Sequence, residues 1–375
     1  MNPNNYAEYS IQITIQTYKD IDCTAWSRMV QSSPTGTWFQ MPEAYSFFAD
    51  LPNVFRPFVV AVTEKENGTK DLLLRAVCVG YITVEQNPIK QFFTRRAIII
   101  GGPALAADCT GEEVTLLMET VKCRIKELGG AIYIETRNFN DYSRYRDGFE
   151  KAGFAYEEHN NFHICTETFA AIRDKSDDEK HEIVYEKVIN GLMGKNRIRD
   201  IKTSFRDGAV VIDHPTIEQV HEYYSILRNL YTTKVKTPLF PLSFFDALYH
   251  HSDGRFILVG LPKENDGIEI IGGTVCVALK DKCLYEWFVA GRDGEWKSIF
   301  PSSVATYAGI RYAAENNMPR FDMMGAGKPG DAYGVRDFKA RFGGDLVEHG
   351  RYKCVCKSLL FKIGVFGIRV LKKKK

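Results

Sequence analysis

The sequence has 375 residues, of which 45% are hydrophobic and 13% are aromatic. This length and composition argue against a disordered chain and favour two domains over one. The 49 Lys and Arg residues nearly balance the 47 Asp and Glu residues, so the net charge of +2 excludes a protein that is basic overall, and any basic surface has to be local.

The sequence also lacks the patterns of secretion, membrane crossing and metal binding. Residues 1–20 contain no cationic segment followed by an apolar run, so no signal peptide is predicted. No apolar run approaches the roughly twenty residues that span a bilayer. The nine cysteines are scattered without a Cys-x-x-Cys pair, and the eight histidines show no ligand spacing. We therefore expect a cytoplasmic protein with reduced cysteines, no metal and no tightly bound cofactor.

The first half of the chain predicts an α/β unit. Alternating or continuous apolar runs predict strands, and capped or aromatic segments predict helices. In chain order the predicted elements are strand Ser10–Thr17, helix Asp22–Ser32, aromatic helix Thr37–Leu51, strands Phe55–Thr63 and Leu72–Gln86, buried strand Ala97–Ile100, helix Glu112–Leu128 and buried strand Ala131–Thr136.

The second half repeats this order. Its predicted elements are aromatic helix Leu239–His250, strands Phe256–Leu261 and Ile268–Leu279, strand Cys283–Ala290, helix Ser302–Asn316 and strand Arg320–Met324. Three landmarks recur in the same order: Ser46-Phe47-Phe48 with Ser243-Phe244-Phe245, Gly80 with Gly272, and Ile134-Glu135 with Phe321-Asp322. We therefore expect a duplicated α/β unit, with mixed sheets flanked by helices.

Composition suggests where the two copies end. A polar linker at Asp174–Lys180 precedes a basic helix over Glu186–Phe205, on which Lys195, Arg199 and Lys202 share one face. That face is either solvated or an anion-binding edge. The predicted divisions are residues 1–173, a linker and basic helix at 174–206, a second domain at 207–356 and a tail at 357–375.

The tail predicts contact with a membrane surface. Leu359, Ile363 and Phe366 lie on one face of a helix that carries Lys362 and ends in four lysines. Such a segment is typical of an interfacial helix drawn to anionic lipid, and the alternative is a packed C-terminal helix with a cationic end.

The segment Phe321–Tyr352 is the strongest candidate for a functional site. A strand end is followed by a glycine-rich loop, then by the pair Phe338-Lys339 with Arg336 and Arg341 close by. Cations beside aromatic rings and a flexible loop predict a place to hold an anionic substrate and polarise a carbonyl. The alternative is that the aromatic residues belong to the core and that the cations are solvated.

This segment resembles the C-terminal signature of the FemABX-like aminoacyltransferases, which have a tandem GNAT-like fold. The matching residues are Phe321-Asp322, the glycine loop and Gly334-Val335-x-x-Phe338-Lys339-x-x-Phe342-Gly343-Gly344. The resemblance implies an aminoacyl-tRNA donor, a lipid- or nucleotide-linked peptidoglycan precursor as acceptor, and Lys339 close to the donor carbonyl as the catalytic residue. Gln40 matches an early Phe-x-Gln-type motif of that family.

The predicted binding residues follow from this resemblance and from the local pattern. Donor binding is predicted for Phe338, Arg336, Arg341, Tyr333 and Lys328, and acceptor binding for Gln40, Trp38, Arg197, Arg199 and Asp322. Two departures leave the acceptor open. Phe47 and Phe48 stand where a family lysine often follows Gln40, and the helical hairpin inserted in some members is missing, so a saccharide or lipid intermediate competes.

The sequence shows no Ser-His-Asp or Cys-His arrangement for a covalent acyl-enzyme, so we expect direct attack of an amine within a ternary complex. The segments Gly291–Ser298 and Gly101–Pro103 lack the motif with which GNAT enzymes hold the pyrophosphate of coenzyme A. Two alternatives remain: an N-acyltransferase of polysaccharide or lipid synthesis that uses acyl-CoA or a carrier protein, and a non-catalytic binding module.

Overall fold

The computed structural model describes residues 14–65, 72–167, 193–235, 238–264 and 267–373. The chain divides into two compact units, Met1–Glu157 with His349–Lys375, and Glu158–Glu348. The predicted linker Asp174–Lys180 and the start of the basic helix lie outside the described residues. In the described stretches, no helix combines the length and the apolar character that crossing a bilayer requires.

The helices are α1 Cys23–Ser32, α2 Pro42–Ala49, α3 Pro88–Thr94, α4 Gly111–Glu127, α5 Arg146–Lys151, α6 Lys195–Arg206, α7 Ile217–Leu230, α8 Leu242–His250, α9 Pro301–Glu315, α10 Gly334–Ala340 and α11 Ser358–Lys373. The predicted helices 22–32, 112–128, 239–250 and 302–316 begin and end within three residues of their expected positions, whereas α3, α5 and α7 were not predicted. Short 3₁₀ turns occupy Trp38–Gln40 and Ser143–Tyr145, and a π-helical turn, Tyr231–Val235, follows α7.

The strands form one mixed sheet in each unit. They are β1 Thr14–Gln16, β2 Phe55–Lys65, β3 Leu72–Thr83, β4 Ala97–Gly101, β5 Ala104–Leu105, β6 Tyr133–Asn138, β7 Ala155–Glu157, β8 Asn160–Cys165, β9 Val210–Ile212, β10 Gly254–Pro262, β11 Ile268–Leu279, β12 Cys283–Gly291, β13 Arg320–Gly325, β14 Asp345–Glu348 and β15 Arg351–Val355.

The sheet of the first unit has the order β1-β2-β3-β4-β6-β15-β7, with β5 on β3. Its central pair, β4 and β6, is parallel, so the chain has to cross over between them, and α4 makes this crossover. Helix α4 begins at a capping box in which Thr110 and Glu113 exchange hydrogen bonds. Its apolar face packs on β2 and β3 and buries Val114, Leu117 and Val121 in the core.

The sheet of the second unit, β14-β8-β13-β12-β11-β10-β9, repeats this arrangement. An antiparallel hairpin, β10-β11, leads to β12, which is parallel to β13, and α9 is the crossover between them. The predicted landmarks Gly80 and Gly272 both lie in the second hairpin strand, where an added Cβ would come within 2.5 Å and 2.8 Å of neighbouring side-chain atoms. The predicted duplicated α/β architecture is confirmed.

Each sheet contains a strand from the other half of the chain. Strand β15, from the C-terminal end, lies between β6 and β7 of the first unit. Strand β8, which precedes the linker, lies between β13 and β14 of the second. The predicted divisions at 173, 206 and 356 therefore differ from the compact units. The reason is that strand pairing, which composition does not reveal, assigns β8 and β15 to the opposite halves.

The exchanged strands also supply the basic side chains that face the landmark carboxylates. In the first unit, Arg351 and Lys353 of β15 lie 3.2 Å and 3.6 Å from the buried carboxylate of Glu135. In the second unit, the Nε2 of His163 on β8 lies 3.1 Å from the buried carboxylate of Asp322. In both copies the exchanged strand therefore places a nitrogen-bearing side chain against a buried carboxylate, and in the first unit these side chains are cations.

Candidate active site

The candidate site begins where β13 ends. The register between β13 and β8 shifts between Asp322 and Gly325, and Met324 adopts a left-handed backbone with a φ of 58°. The Oδ1 of Asp322 accepts a hydrogen bond of 2.7 Å from the amide of Met324 and so holds this bulge. A methionine in this conformation is strained, and such bulges often mark functional sites.

Lys339 of α10 reaches the same bulge. Its Nζ donates to the carbonyl of Met323 and, over 2.8 Å, to the carbonyl of Gly325. The residue is only 6% exposed, which contradicts the alternative of a solvated lysine. The ammonium therefore occupies the end of the strand, next to the glycine-rich loop, as a fixed and largely desolvated positive charge.

Glu286 on β12 is the negative counterpart of this lysine. Its Oε1 accepts hydrogen bonds from Thr306 (2.9 Å) and Thr274 (3.2 Å), and the side chain is buried. Burial raises the pKa of Glu286 to about 7, although the charge of Lys339 opposes this rise. Burial also lowers the pKa of Lys339 to about 8, against the opposing charges of Glu286 and Asp322. Both groups therefore titrate close to neutral pH.

Asp322 is the third charged member of this buried cluster. Burial alone would raise its pKa, but His163, Arg320 and the amide of Met324 outweigh burial, and the net pKa lies below the usual value. Asp322 is 0% exposed. The structure therefore gives this residue, which was predicted to contact the acceptor, a place behind the strand end, where it supports the bulge.

The titration of Glu286 predicts a pH dependence of stability. The folded protein holds the Glu286 proton up to a pKa of about 7, and the unfolded chain releases it near 4.5. The protonated Glu286 therefore stabilises the fold at low pH. As the pH rises from about 4.5 to 7, its contribution to the free energy of unfolding should fall by on the order of 3 kcal/mol at most. In Glu286→Gln this loss should vanish, as measured by urea unfolding across that range.

A matched control is Glu264→Gln, which changes an exposed carboxylate in the turn between β10 and β11. It should follow the pH dependence of the wild type. If the Glu286→Gln curve ran parallel to the wild-type curve instead, Glu286 would not titrate in the way that its burial implies.

Arg197 holds α10 against α6. Its guanidinium lies 4.5 Å and 4.3 Å from the ring centres of Phe338 and Phe342, and Nη2 donates over 3.2 Å to the carbonyl of Phe338. Nη1 also donates to Ser303 on α9. Burial lowers the pKa of Arg197 to about 10. The predicted acceptor contact is thus replaced by a structural role, because the guanidinium is enclosed by protein groups.

The other cations of the segment have different surroundings. Arg336 donates to the carbonyls of Ala326, Asp331 and Lys328, so it stabilises the glycine-rich loop. Tyr333 and Lys328 are exposed beside this loop, and Arg341 is exposed at the end of α10. Arg199 is exposed on α6, on the face opposite to Arg197. The loop thus brings Arg336, Tyr333 and Lys328 together, and their donor contacts stay predictions.

Gln40 and Trp38 lie in the core of the first unit. The side chain of Gln40 donates to the carbonyls of Val79 and Ile100 and accepts from the amide of Val79, and so joins β3 to β4. Trp38 is 1% exposed and packs edge-on against Phe39 and Phe47. Neither residue has surface left for an acceptor, so the two predictions of acceptor binding are corrected to structural roles.

Glu286 and His163 were missed in the sequence, although each carried a signal. Glu286 interrupts the apolar strand Cys283–Gly291, and His163 stands among apolar residues of β8. The corresponding strand of the first unit, Ala97–Gly101, is apolar throughout. The second unit therefore contains a buried glutamate on a strand whose counterpart in the first unit is apolar, and the charge of Lys339 acts on this glutamate.

The N-termini of both crossover helices already hold a protein carboxylate. In the first unit Glu113 accepts from the amide of Thr110 at the start of α4. In the second unit Asp293 accepts from the amide (3.2 Å) and from the hydroxyl of Ser302 at the start of α9. A carboxylate at a helix N-terminus occupies the amides that otherwise attract a phosphate group.

Comparisons with known proteins agree with this architecture. Residues 195–340, which include the buried lysine and glutamate, match the model of the acetyltransferase (GNAT) domain family. The structure of FemX is similar over 93% of this chain and 99% of its own, with a TM-score of 0.65 and 15% identity. A tandem GNAT protein of the clavulanic acid biosynthesis pathway covers 92% of this chain and 98% of its own, with a TM-score of 0.54 and 8% identity.

These findings define the class first: residues 195–340 match the acetyltransferase (GNAT) domain, and the fold with two α/β units is similar to that of a tandem GNAT protein. More particularly, the fold over most of the chain is similar to that of FemX, in agreement with the FemABX-like resemblance seen in the sequence. Comparison with the curated proteins found no match.

Proposed function

We propose that this protein transfers an aminoacyl group from aminoacyl-tRNA to an amine of a cell-envelope precursor. The observation that carries the proposal is the buried ammonium of Lys339 at the bulged end of β13, beside the glycine-rich loop. A fixed positive charge in a water-poor site is well suited to stabilise the oxyanion that forms during acyl transfer.

In the proposed reaction the acceptor amine attacks the ester carbonyl of the donor directly. The new C–N bond forms, the carbonyl oxygen becomes an oxyanion beside Lys339, and the C–O bond to the tRNA ribose then breaks. The proton of the attacking amine passes to the departing ribose oxygen, so no covalent acyl-enzyme is needed. Since the pKa of Lys339 is about 8, the side chain is mainly protonated at pH 7 and available for this role.

The occupied helix N-termini favour the tRNA donor over coenzyme A. In the second unit the pyrophosphate of coenzyme A would meet the carboxylate of Asp293 at the start of α9, where it would compete for the amide of Ser302. An aminoacyl ester does not need that anion site. The acceptor in this proposal is a lipid- or nucleotide-linked precursor, as the FemABX-like resemblance implies.

A second candidate is N-acyl transfer from acyl-CoA or an acyl carrier protein in polysaccharide or lipid synthesis. The specific observation in its favour is the match of residues 195–340 to an acetyltransferase domain. It requires Asp293 to turn away from Ser302 or to contribute to donor binding.

The deciding experiment offers the full-length protein charged tRNAs or acyl-CoA donors together with envelope precursors, and identifies products by mass spectrometry. We expect a new amide only with charged tRNA. Consumption of acyl-CoA without tRNA would overturn the proposed donor, and Asp293→Asn should then alter the KM for acyl-CoA. Precursor binding without transfer from either donor would instead identify a binding module.

A further inference from the structure

Two neighbouring helices of the first unit present apolar side chains to the solvent. Ile89, Phe92 and Phe93 project from α3, and the side chains of these residues are 46–72% exposed. Helix α11 contacts α3 and adds three more exposed apolar residues. We call the surface formed by Ile89, Phe92, Phe93, Leu359, Ile363 and Phe366 the α3–α11 patch.

Helix α3 contributes nothing to the core of its unit, since none of its residues is buried. It is tied to the sheet through polar groups: Gln91 donates over 3.0 Å to the carbonyl of Thr83 and accepts from the amide of Glu85. Asn87 caps its first turn. A short helix that shows its aromatic residues outward and is held by hydrogen bonds has an apolar surface that folding does not use.

Helix α11 has two apolar sides, and only one of them packs on the protein. Leu360, Phe361 and Val365 are half-buried, and the ring of Phe361 lies edge-on to Tyr133 at 5.6 Å. The opposite side carries Leu359, Ile363 and Phe366, which are exposed. The helix is therefore anchored through the side that carries Phe361. The side that carries Leu359, Ile363 and Phe366 is available for contact with an apolar environment outside the protein.

Cations outnumber carboxylates in the two segments that carry the patch. Lys357 and Lys362 are exposed beside or on α11, and the sequence from residue 358 to residue 375 also contains Arg369 and Lys372–Lys375 and no acidic residue. Residues 86–96 contain Lys90, Arg95 and Arg96 and again no acidic residue, although Glu85 lies 2.7 Å from Lys90. Because the net charge of the whole chain is only +2, this excess of cations is a local feature of the two segments. Exposed aromatic residues framed by cations match the chemistry of an anionic lipid surface.

We infer that the α3–α11 patch docks the protein on an anionic phospholipid surface, with Phe92, Phe93 and Phe366 entering the interface and the surrounding cations contacting lipid phosphates. The sequence pointed only to the C-terminal helix. The structure adds α3 as a second inserting element, so the docking surface is two helices wide. This inference is independent of the proposed aminoacyl transfer.

The test is co-sedimentation of the full-length protein with phosphatidylcholine vesicles, with and without phosphatidylglycerol. We expect binding only when the anionic lipid is present, and loss of binding in high salt. Phe92→Ser and Phe366→Ser should each weaken binding by about tenfold, because each removes a large apolar side chain from the interface. Lys362→Gln and removal of Lys372–Lys375 should weaken it further at low salt.

The matched control is Leu73→Ser, which removes an exposed apolar side chain of the same unit at the edge of β3, outside the patch. This variant should bind as the wild type does. The side chains of Phe92, Phe366 and Leu73 are all exposed, so the thermal midpoints of the three serine variants should stay unchanged. A second readout is Phe92→Trp, whose emission should shift to the blue on anionic vesicles.

Three results would overturn the inference. The first is equal vesicle binding by wild type, Phe92→Ser and Phe366→Ser. The second is no blue shift from Phe92→Trp in the presence of anionic vesicles. The third is a wild-type dimer in light scattering that the serine variants convert to monomer, because the patch would then be covered by a second copy of the chain.

Discussion

Lys339→Met is expected to lower the turnover of acyl transfer by about 10²–10³-fold, the usual effect of removing one donor that stabilises an oxyanion. The variant removes the ammonium that the carbonyls of Met323 and Gly325 hold at the end of β13. Lys339→Arg should restore little activity, since a planar guanidinium replaces a compact charge in a tightly enclosed space. The measurement is product formation under saturating donor, read by mass spectrometry.

Because Lys339 is buried, Lys339→Met should also lower the stability of the fold. A solvated lysine would leave the thermal midpoint unchanged, but methionine here leaves two carbonyls without a donor and Glu286 without its cation. Because Glu286 can take up a proton when the cation is gone, the loss should be smaller at pH 6 than at pH 8. Lys280→Met, which changes an exposed lysine of the same unit, is the control for both readouts.

Near-normal turnover by folded Lys339→Met, with a donor that the wild type demonstrably uses, would contradict the proposed role. Lys339 would then be a structural residue that closes the end of β13, and the reaction centre would have to lie elsewhere.

Arg197→Ala is expected to lower the free energy of unfolding by about 3 kcal/mol or more, the largest stability effect predicted for a single residue here. The change opens a space between the rings of Phe338 and Phe342, removes two hydrogen bonds and takes away one of the two guanidinium groups near Asp200. Because these contacts hold α10 in place, Lys339 should also be less well positioned. Urea unfolding measures the first effect, and turnover of the folded fraction measures the second.

Arg199→Ala is the matched control, two residues away on the exposed face of α6. It should change stability by no more than about 0.5 kcal/mol. A loss below about 1 kcal/mol for Arg197→Ala, the size of an ordinary substitution, would contradict the enclosed position of this guanidinium. A specific loss of acceptor binding by Arg199→Ala would support the contact that the sequence predicted for this residue.

Much of the fold could be predicted because its signals are local in the sequence. The capping box at Thr110 and Glu113 places the start of α4, and the continuous apolar run at Ala97–Ile100 identifies a buried strand. The three landmarks predicted the duplication because similar side chains are needed for packing at corresponding positions of the two units. A fourth likeness, between Arg146-Asp147-Gly148-Phe149 and Arg336-Asp337-Phe338, was overlooked and links α5 to α10.

The candidate site was harder to predict, because burial depends on contacts between distant segments. Arg197 looked like one of several cations on a basic helix, and only its partners on α9 and α10 show that it is enclosed. Gln40 looked like a ligand contact, although its amide completes the hydrogen bonding between β3 and β4. A short motif contains the same polar residues whether their side chains bind a ligand or complete hydrogen bonds inside the core.

The exchange of β8 and β15 has a consequence for the order in which the protein is made. The first unit cannot close its sheet until residues 351–355 leave the ribosome, because β7 pairs only with β15 among the described strands. Strand β8 is synthesised long before β13 and β14, the two partners between which it will lie. The nascent chain therefore exposes unpaired strand edges before β15 has been made and before β13 and β14 have been made. Such unpaired edges promote aggregation. The two α/β units are consequently synthesised one after the other, but both complete their sheets only when the C-terminal part of the chain has been made.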